Sequence, residues 1–118
     1  MIRLSDACLS ALPIAVHRPL YDRASLKIGI VHLGIGAFHR AHQAVYTDDV
    51  LASGDLRWGI LGVSLRSPDT RDALMPQNGL YTIALRSAAG TQHRVIGAIM
   101  TVLVAPRSEE HTSELQSH

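Results

Sequence analysis

A pair of glycines, Gly34 and Gly36, lies where the sequence pattern could create a binding site for phosphate. The pair follows a short apolar run rich in β-branched residues, and no Pro or Gly then interrupts the chain until Gly54. In a strand–turn–helix unit, the first glycine permits a tight turn and the second lets the backbone approach a pyrophosphate. His39 replaces the usual third glycine. Spacing alone therefore leaves two interpretations open, a dinucleotide site and a βαβ turn without a ligand.

Polar side chains also follow the second predicted strand, where such sites contact the adenosine ribose. A carboxylate there accepts hydrogen bonds from the ribose of NAD, and Asp69 is available for this role, whereas Asp55 precedes the strand. Arg66, with Ser64 or Ser67, would instead bind the 2′-phosphate of NADP. A third interpretation is that Ser67 and Asp69 only cap the next helix.

Two histidines and one cysteine are the candidates for metal chemistry. His39 and His42 are three residues apart on the predicted helix, a spacing that could begin a metal site, but no convincing third ligand accompanies them. The single cysteine, Cys8, excludes an internal disulfide framework and a multi-cysteine metal site. We therefore expect no bound metal, and we expect the histidines to serve in packing and hydrogen bonding.

The elements that would position these residues form a βαβ unit. Residues 27–33 predict a buried strand, residues 37–53 predict a helix that stops at Gly54, and residues 57–64 predict a second strand. The two strands should be parallel, with a right-handed crossover. Ala37, Ala41 and Ala44 provide small side chains that could take over the packing role of the missing third glycine.

The flanking segments predict less regular structure. Residues 1–26 contain Pro13 and Pro19 and read as a lead segment whose apolar residues could pack as an arm. After the βαβ unit, a short helix should begin at Ser67 and Pro68 and end by Pro76, and Asn78-Gly79 should form a turn. Residues 80–86 and 92–104 then predict a hairpin around Ala89-Gly90.

Composition limits the possible functions. The chain has 118 residues, 47% of them hydrophobic and 18% charged, which is typical of one globular domain. A formal net charge of +1 argues against a protein built to hold nucleic acid or an anionic membrane. No apolar run approaches the ~20 residues that span a bilayer. We expect a cytoplasmic protein with no nucleic-acid or membrane partner.

The residues around the glycine pair resemble a known family. Residues 30–46 read Ile-Val-His-Leu-Gly-Ile-Gly-Ala-Phe-His-Arg-Ala-His-Gln-Ala-Val-Tyr. This string resembles the opening motif of the long-chain polyol dehydrogenases, which include mannitol 2-dehydrogenase and fructuronate reductase. Trp58-Gly59-Ile60 with Gly62-Val63, and Gly79-Leu80-Tyr81-Thr82, are similar to later blocks of that family in the same order. The resemblance implies an α/β fold, a partial Rossmann domain with a doubly wound parallel sheet and an inserted β-hairpin.

The resemblance also implies a function and a set of site residues. The family uses NAD, and in some members NADP, to interconvert a sugar alcohol or aldonate with its keto sugar. Its catalytic residues lie in a later, mostly helical domain, so we expect this chain to hold part of the cofactor site and no catalytic residue. The alternative is a non-catalytic βαβ nucleotide-binding or interaction fragment. The expected cofactor contacts are Gly34, Ile35, Gly36, Ala37, Phe38, His39, Arg40, Arg66 and Asp69.

The last twelve residues differ from the rest of the chain. Residues 107–118 contain all three glutamates of the sequence and resemble the conceptual translation of a sequencing-library adapter. A natural polar tail is the alternative, but the composition break after Pro106 favours a non-native segment. We therefore expect a lead segment at 1–26, a partial dinucleotide-binding domain of mannitol dehydrogenase type at 27–106, and a non-native tail at 107–118.

Overall fold

The computed structural model describes residues 3–105, and the predicted tail at 107–118 lies outside them. A three-stranded parallel sheet has the order β1-β2-β5, and a separate antiparallel hairpin pairs β3 with β4. This arrangement confirms the α/β class with an inserted hairpin. The strands are β1 (Ile28–Leu33), β2 (Gly59–Ser64), β3 (Tyr81–Ser87), β4 (Gly90–Ile96) and β5 (Ile99–Val104), and the helices are α1 (Ala37–Ala41), α2 (Gln43–Ala52) and α3 (Asp69–Leu74).

The pairing of β1 with β2 is parallel, as the sequence predicts. Ile28 lies opposite Gly59, and Leu33 lies opposite Val63, so the two strands end at the same edge of the sheet. The Gly34 N–H donates to the Val63 carbonyl at 2.8 Å, which continues the strand ladder into the turn. The loops that follow β1 and β2 therefore lie side by side.

The predicted strand at residues 92–104 is wrong in one respect, because the chain leaves the hairpin at Gly97 and starts a new strand. β5 joins the parallel sheet beside β2, with Leu61 opposite Thr101 and Ser64 opposite Val104. A Cβ at Gly97 would stand 2.6 Å from Pro19 Cγ, so only glycine lets the chain pass the lead segment there. The residues on both sides of Gly97 are mostly apolar and β-branched, so the sequence pattern does not indicate that the chain changes sheet there.

The single helix predicted over residues 37–53 is also wrong, because it is interrupted. His42 has φ −124° and ψ −74°, outside the helical region, and it separates α1 from α2. Backbone hydrogen bonds still lead into and out of the break, from His42 N–H to Phe38 at 3.0 Å and from Tyr46 N–H to His42 at 3.1 Å. No proline or glycine marks this position, so the sequence carries no local signal for the break.

The segment after β2 follows the prediction with small shifts. Helix α3 begins at Asp69, and the Ser67 hydroxyl accepts the Asp69 N–H at 3.1 Å. A 3₁₀ turn, Met75–Gln77, then carries the chain through Pro76. Asn78 and Gly79 both have positive φ, 58° and 82°, and form the predicted turn.

The lead segment is fastened to the domain through Arg23. Its guanidinium donates to three backbone carbonyls, Gly97 at 3.0 Å, Ile99 at 3.0 Å and Asn78 at 2.8 Å, and it also pairs with Asp6. Ile14, one of the apolar residues expected to pack, is fully exposed instead. Residues 3–26 are therefore part of the folded unit, held mainly by polar contacts.

Asp48 on α2 is the centre of a buried polar cluster. Its side chain is 3% exposed, and one carboxylate oxygen accepts the Tyr21 hydroxyl at 2.5 Å and the Gly97 N–H at 3.0 Å. The other oxygen accepts from Arg94 at 2.8 Å. Burial, and then the Asp48 carboxylate, raises the pKa of Tyr21 well above its usual range. The cluster joins the lead segment, the helix and the link between hairpin and sheet.

The apolar core gathers side chains from α2, α3, the parallel sheet and the hairpin. Its largest fully buried side chains are Leu51, Ile60, Leu80, Val95, Ile96, Ile99 and Val102. No helix among residues 3–105 is long and apolar enough to cross a membrane.

Asp48 and Asp49 provide a matched test of the buried cluster, because both carboxylates pair with Arg94. Asp48→Ala should lower the free energy of unfolding by about 3–5 kcal/mol, since it leaves the Tyr21 hydroxyl and the buried Gly97 N–H without their acceptor and removes one of the two carboxylates that pair with Arg94. Asp49→Ala, at a side chain 58% exposed, should lower it by about 1 kcal/mol or less. Urea unfolding measures both values, and equal losses would contradict the central role of Asp48.

Candidate functional site

The turn between β1 and α1 has the backbone geometry that a close-lying ligand requires. Gly34 has φ +84°, a conformation that side chains disfavour, and Gly36 is extended with φ −92° and ψ 179°. A Cβ added at either glycine would meet nothing within 4 Å. One side of the turn is therefore open to a molecule that approaches the backbone.

A cavity of about 300 Å³ lies against this open side, where β1 and β2 end. The lining residues carry backbone N–H groups, three hydroxyls and one guanidinium, and they include no carboxylate. Such a surface favours an anionic, hydrogen-bond-accepting ligand. The residues are Gly34, Ile35, Gly36, Ser64, Leu65, Arg66, Ser67 and Thr70.

Close packing of the turn on the sheet is achieved by Ile35 and Gly62. A Cβ at Gly62 would overlap the Ile35 side chain, which is buried against β2. Of the three alanines expected to replace the missing glycine, only Ala44 is buried, while Ala37 and Ala41 are exposed. The prediction that these alanines form the packing face is therefore wrong. The turn instead approaches the sheet closely at Gly62 of β2.

His39 occupies the position of the third glycine and packs inside the domain. Its ring is 4% exposed and stacks on His32 of β1, with centroids 3.8 Å apart. Its Nδ1 lies 3.2 Å from the Gln43 side-chain oxygen, which assigns the proton to Nδ1. Burial lowers the pKa of His39, so the ring is held neutral. Within residues 3–105, no three His, Cys, Asp or Glu side chains converge where they could hold a metal ion.

Phe38 and Arg40 do not line the cavity. The Phe38 side chain is 79% exposed and lies against the His42 ring, with centroids 4.4 Å apart. Arg40 Nε donates to the Gly36 carbonyl at 3.4 Å, so its side chain folds back on the turn. The structure therefore brings together Gly34, Ile35 and Gly36 of the expected set, and it leaves the residues of α1 outside the cavity lining.

The loop after β2 contributes Arg66 and not Asp69. Arg66 lines the cavity together with Ser64 and Ser67, whereas the Asp69 side chain is exposed and does not line it. Thr70 of α3 also lines the cavity and was not expected from the sequence. Its position as the second residue of the helix that follows the strand is the signal that could have identified it.

Another cavity, of about 550 Å³, is larger but less suited to a ligand. It lies between the lead segment and α2, and its lining includes Tyr21, Asp48, Asp49 and Arg94. These side chains bond to one another in the buried cluster described above. Their polar groups serve the fold, so the smaller cavity at the glycine turn is the candidate site.

Comparison with known proteins identifies relatives of this chain. The sequence model described as the mannitol dehydrogenase Rossmann domain matches residues 28–116. The chain is 44% identical over 120 residues to a mannitol 2-dehydrogenase of Pyrenophora tritici-repentis, covering 99% of this chain and 21% of that protein. It is 45% identical over 97 residues to the D-mannonate oxidoreductase of Escherichia coli, covering 80% of this chain and 20% of that protein.

A solved structure has the same fold. The mannitol 2-dehydrogenase of Pseudomonas fluorescens, in a ternary complex with NAD and D-mannitol, superposes with a TM-score of 0.83 at 40% identity. The match covers 99% of this chain and 25% of that one. The chain thus spans about a fifth to a quarter of the length of these relatives. From the family match and the shared fold together, the chain belongs to the mannitol dehydrogenase family and carries part of its Rossmann domain.

Proposed function

We propose that this chain supplies the dinucleotide-binding turn of an NAD-dependent oxidoreductase. The observation that carries the proposal is the open side of Gly34 and Gly36 against the cavity where β1 and β2 end. The relative of known structure binds NAD in its complex. The family and the geometry therefore support the same ligand class.

The turn fits the pyrophosphate of a dinucleotide. Backbone atoms at Gly34 and Gly36 can approach the phosphates because no side chain stands between them and the cavity. Ser64, Arg66 and Ser67 would lie toward the adenosine ribose, as the loop after the second strand does in dinucleotide-binding domains. When bound, the nicotinamide supplies hydride transfer, and the residues of this chain bind and orient the dinucleotide.

NAD is the proposed cofactor. NADP is the alternative, because of the side chains that line the cavity after β2. NAD is present in the Pseudomonas fluorescens complex. However, Arg66 with Ser64 and Ser67 lines the cavity here, while the Asp69 carboxylate, which would select NAD, lies outside the lining. A guanidinium with neighbouring hydroxyls can bind a 2′-phosphate by donating hydrogen bonds to its oxygens. The proposed site residues remain the expected nine, and four of them, Gly34, Ile35, Gly36 and Arg66, line the cavity.

The proposed reaction of the whole enzyme is oxidation of a CH–OH group in a sugar alcohol or aldonate. The relatives named mannitol 2-dehydrogenase and D-mannonate oxidoreductase support this substrate class. A cytoplasmic location and the division into segments at 1–26, 27–106 and 107–118 stay predictions.

Gly36→Val should weaken dinucleotide binding by about tenfold or more, because a branched side chain would occupy the space proposed for the pyrophosphate. The substitution should leave the fold intact, since the backbone at Gly36 is extended and an added Cβ has open space around it. Saturation-transfer NMR on the chain with millimolar NAD, NADP and ATP measures the effect. Ala52→Val is the control, because it adds similar bulk at the far end of α2. Equal NAD affinity in both variants would mean that the turn is only structural.

The 118-residue chain itself should show no dehydrogenase activity. The side chains around the cavity are apolar, hydroxyl-bearing or guanidinium, and none of these accepts a proton readily near neutral pH. NADH production with mannitol or mannonate, and NADH consumption with fructose or fructuronate, are the measurements. The complete Pseudomonas fluorescens enzyme serves as the positive control. Turnover that persists through further purification would require a catalytic group within this chain.

A further inference from the structure

We propose that Tyr81 is a positioning residue for the dinucleotide turn, acting through the hydrogen bond from its hydroxyl to the Arg40 carbonyl. The hydroxyl lies 2.6 Å from that carbonyl oxygen. This inference rests on the proposed function, because the turn it positions is the proposed dinucleotide site. It gives the inserted hairpin a role in the site, although no hairpin residue lines the turn cavity.

Tyr81 is itself firmly held. It is the first residue of β3, pairs with Ile96 of β4, and is 8% exposed within the apolar core. The turn at Asn78-Gly79 sets the start of the strand, and a Cβ at Gly79 would overlap the Ile99 carbonyl. The hydroxyl is therefore presented from a fixed position, which a positioning contact requires.

The Arg40 carbonyl needs a donor because the helix is interrupted. Arg40 is the second-last residue of α1, and the last carbonyls of a helix have no partner within it. The non-helical backbone at His42 ends α1 at this point. Tyr81 thus satisfies a carbonyl that the break exposes, and a buried carbonyl without a partner would destabilise this arrangement.

The position of Arg40 is transmitted directly to the glycine turn. The Arg40 N–H donates to the Gly36 carbonyl at 3.1 Å, so the two residues belong to one helical turn. The same short helix contacts β1 through the His39–His32 stack and α2 through Gln43. Tyr81 adds a contact from the hairpin, so α1 is held between three neighbouring elements.

The chemistry of Tyr81 suits this role. Burial raises the pKa of its hydroxyl well above the usual value, so the group stays protonated and donates. Phenylalanine at this position would keep the ring in the core and remove only the donor. Tyr21 provides a matched control, because its half-buried hydroxyl also makes a short hydrogen bond, but to Asp48 on α2 and not to α1.

The test compares Tyr81→Phe and Tyr21→Phe with the wild type in the 118-residue chain. Amide hydrogen exchange is measured by NMR without ligand, and NAD affinity is measured by saturation transfer. Tyr81→Phe should accelerate exchange in α1 by about tenfold relative to α2 and weaken NAD binding by a similar factor. Tyr21→Phe should lower stability and accelerate exchange throughout, with NAD affinity unchanged. In the wild type, a slowly exchanging Tyr81 hydroxyl proton reports the same hydrogen bond without any substitution.

The outcomes separate this inference from the proposed function. If the wild type binds NAD but Tyr81→Phe changes neither α1 exchange nor affinity, Tyr81 has no positioning role. If both variants weaken NAD binding equally, the effect is loss of stability and the inference is also wrong. If the wild type shows no NAD contact at millimolar concentration, the proposed function fails, and faster α1 exchange would then show only a structural hydrogen bond.

Discussion

The candidate site depends on one backbone hydrogen bond, from Gly34 N–H to the Val63 carbonyl at 2.8 Å. This bond extends the parallel pairing of β1 and β2 beyond the last residue of β1 and fixes the glycine turn beside the end of β2. Parallel strands bring their carboxyl ends to one edge, so the loops after both strands meet there. The cavity between the turn and Arg66 exists because of this register.

Polar contacts fasten the lead segment and the hairpin to the βαβ unit. Arg23 binds two carbonyls at the link between hairpin and sheet and a third in the turn before the hairpin, and Asp48 joins the lead segment to α2 and Gly97. Both clusters converge near Gly97, where the chain passes from the hairpin into β5. The Arg23 guanidinium and the Asp48 carboxylate each make several hydrogen bonds, and buried charges are tolerated when they are paired in this way.

Periodicity and glycine spacing predicted most of the fold near the site. The strand before Gly34, the parallel βαβ unit, the turn at Asn78-Gly79 and the hairpin are all present, because each depends on local patterns. The break at His42 and the start of β5 at Ile99 were not predictable in this way. At His42 no proline or glycine marks the break, and the donor to the Arg40 carbonyl beside it comes from Tyr81, which is distant in sequence. At Gly97 an apolar stretch rich in β-branched residues changes partner strand, and β5 starts two residues later.

The site was also predictable in part, because the strand pattern determines which loops lie side by side. Gly34, Gly36 and Arg66 follow strands directly, so their proximity follows from topology. Phe38 and Arg40 lie on the first turn of the helix, and their side-chain directions depend on packing that the sequence does not show. Tyr81 is 41 residues from its partner, and no spacing rule relates the two.

Amide chemical-shift mapping of the isotopically labelled chain tests whether the glycine turn and the loop after β2 bind one dinucleotide together. Millimolar NAD should shift the amides of Gly34 and Gly36 together with those of residues 64–70, because both loops line one cavity. Shifts confined to residues around the larger cavity, such as Asp22 and Asp49, or no shift at the glycine turn, would contradict the account.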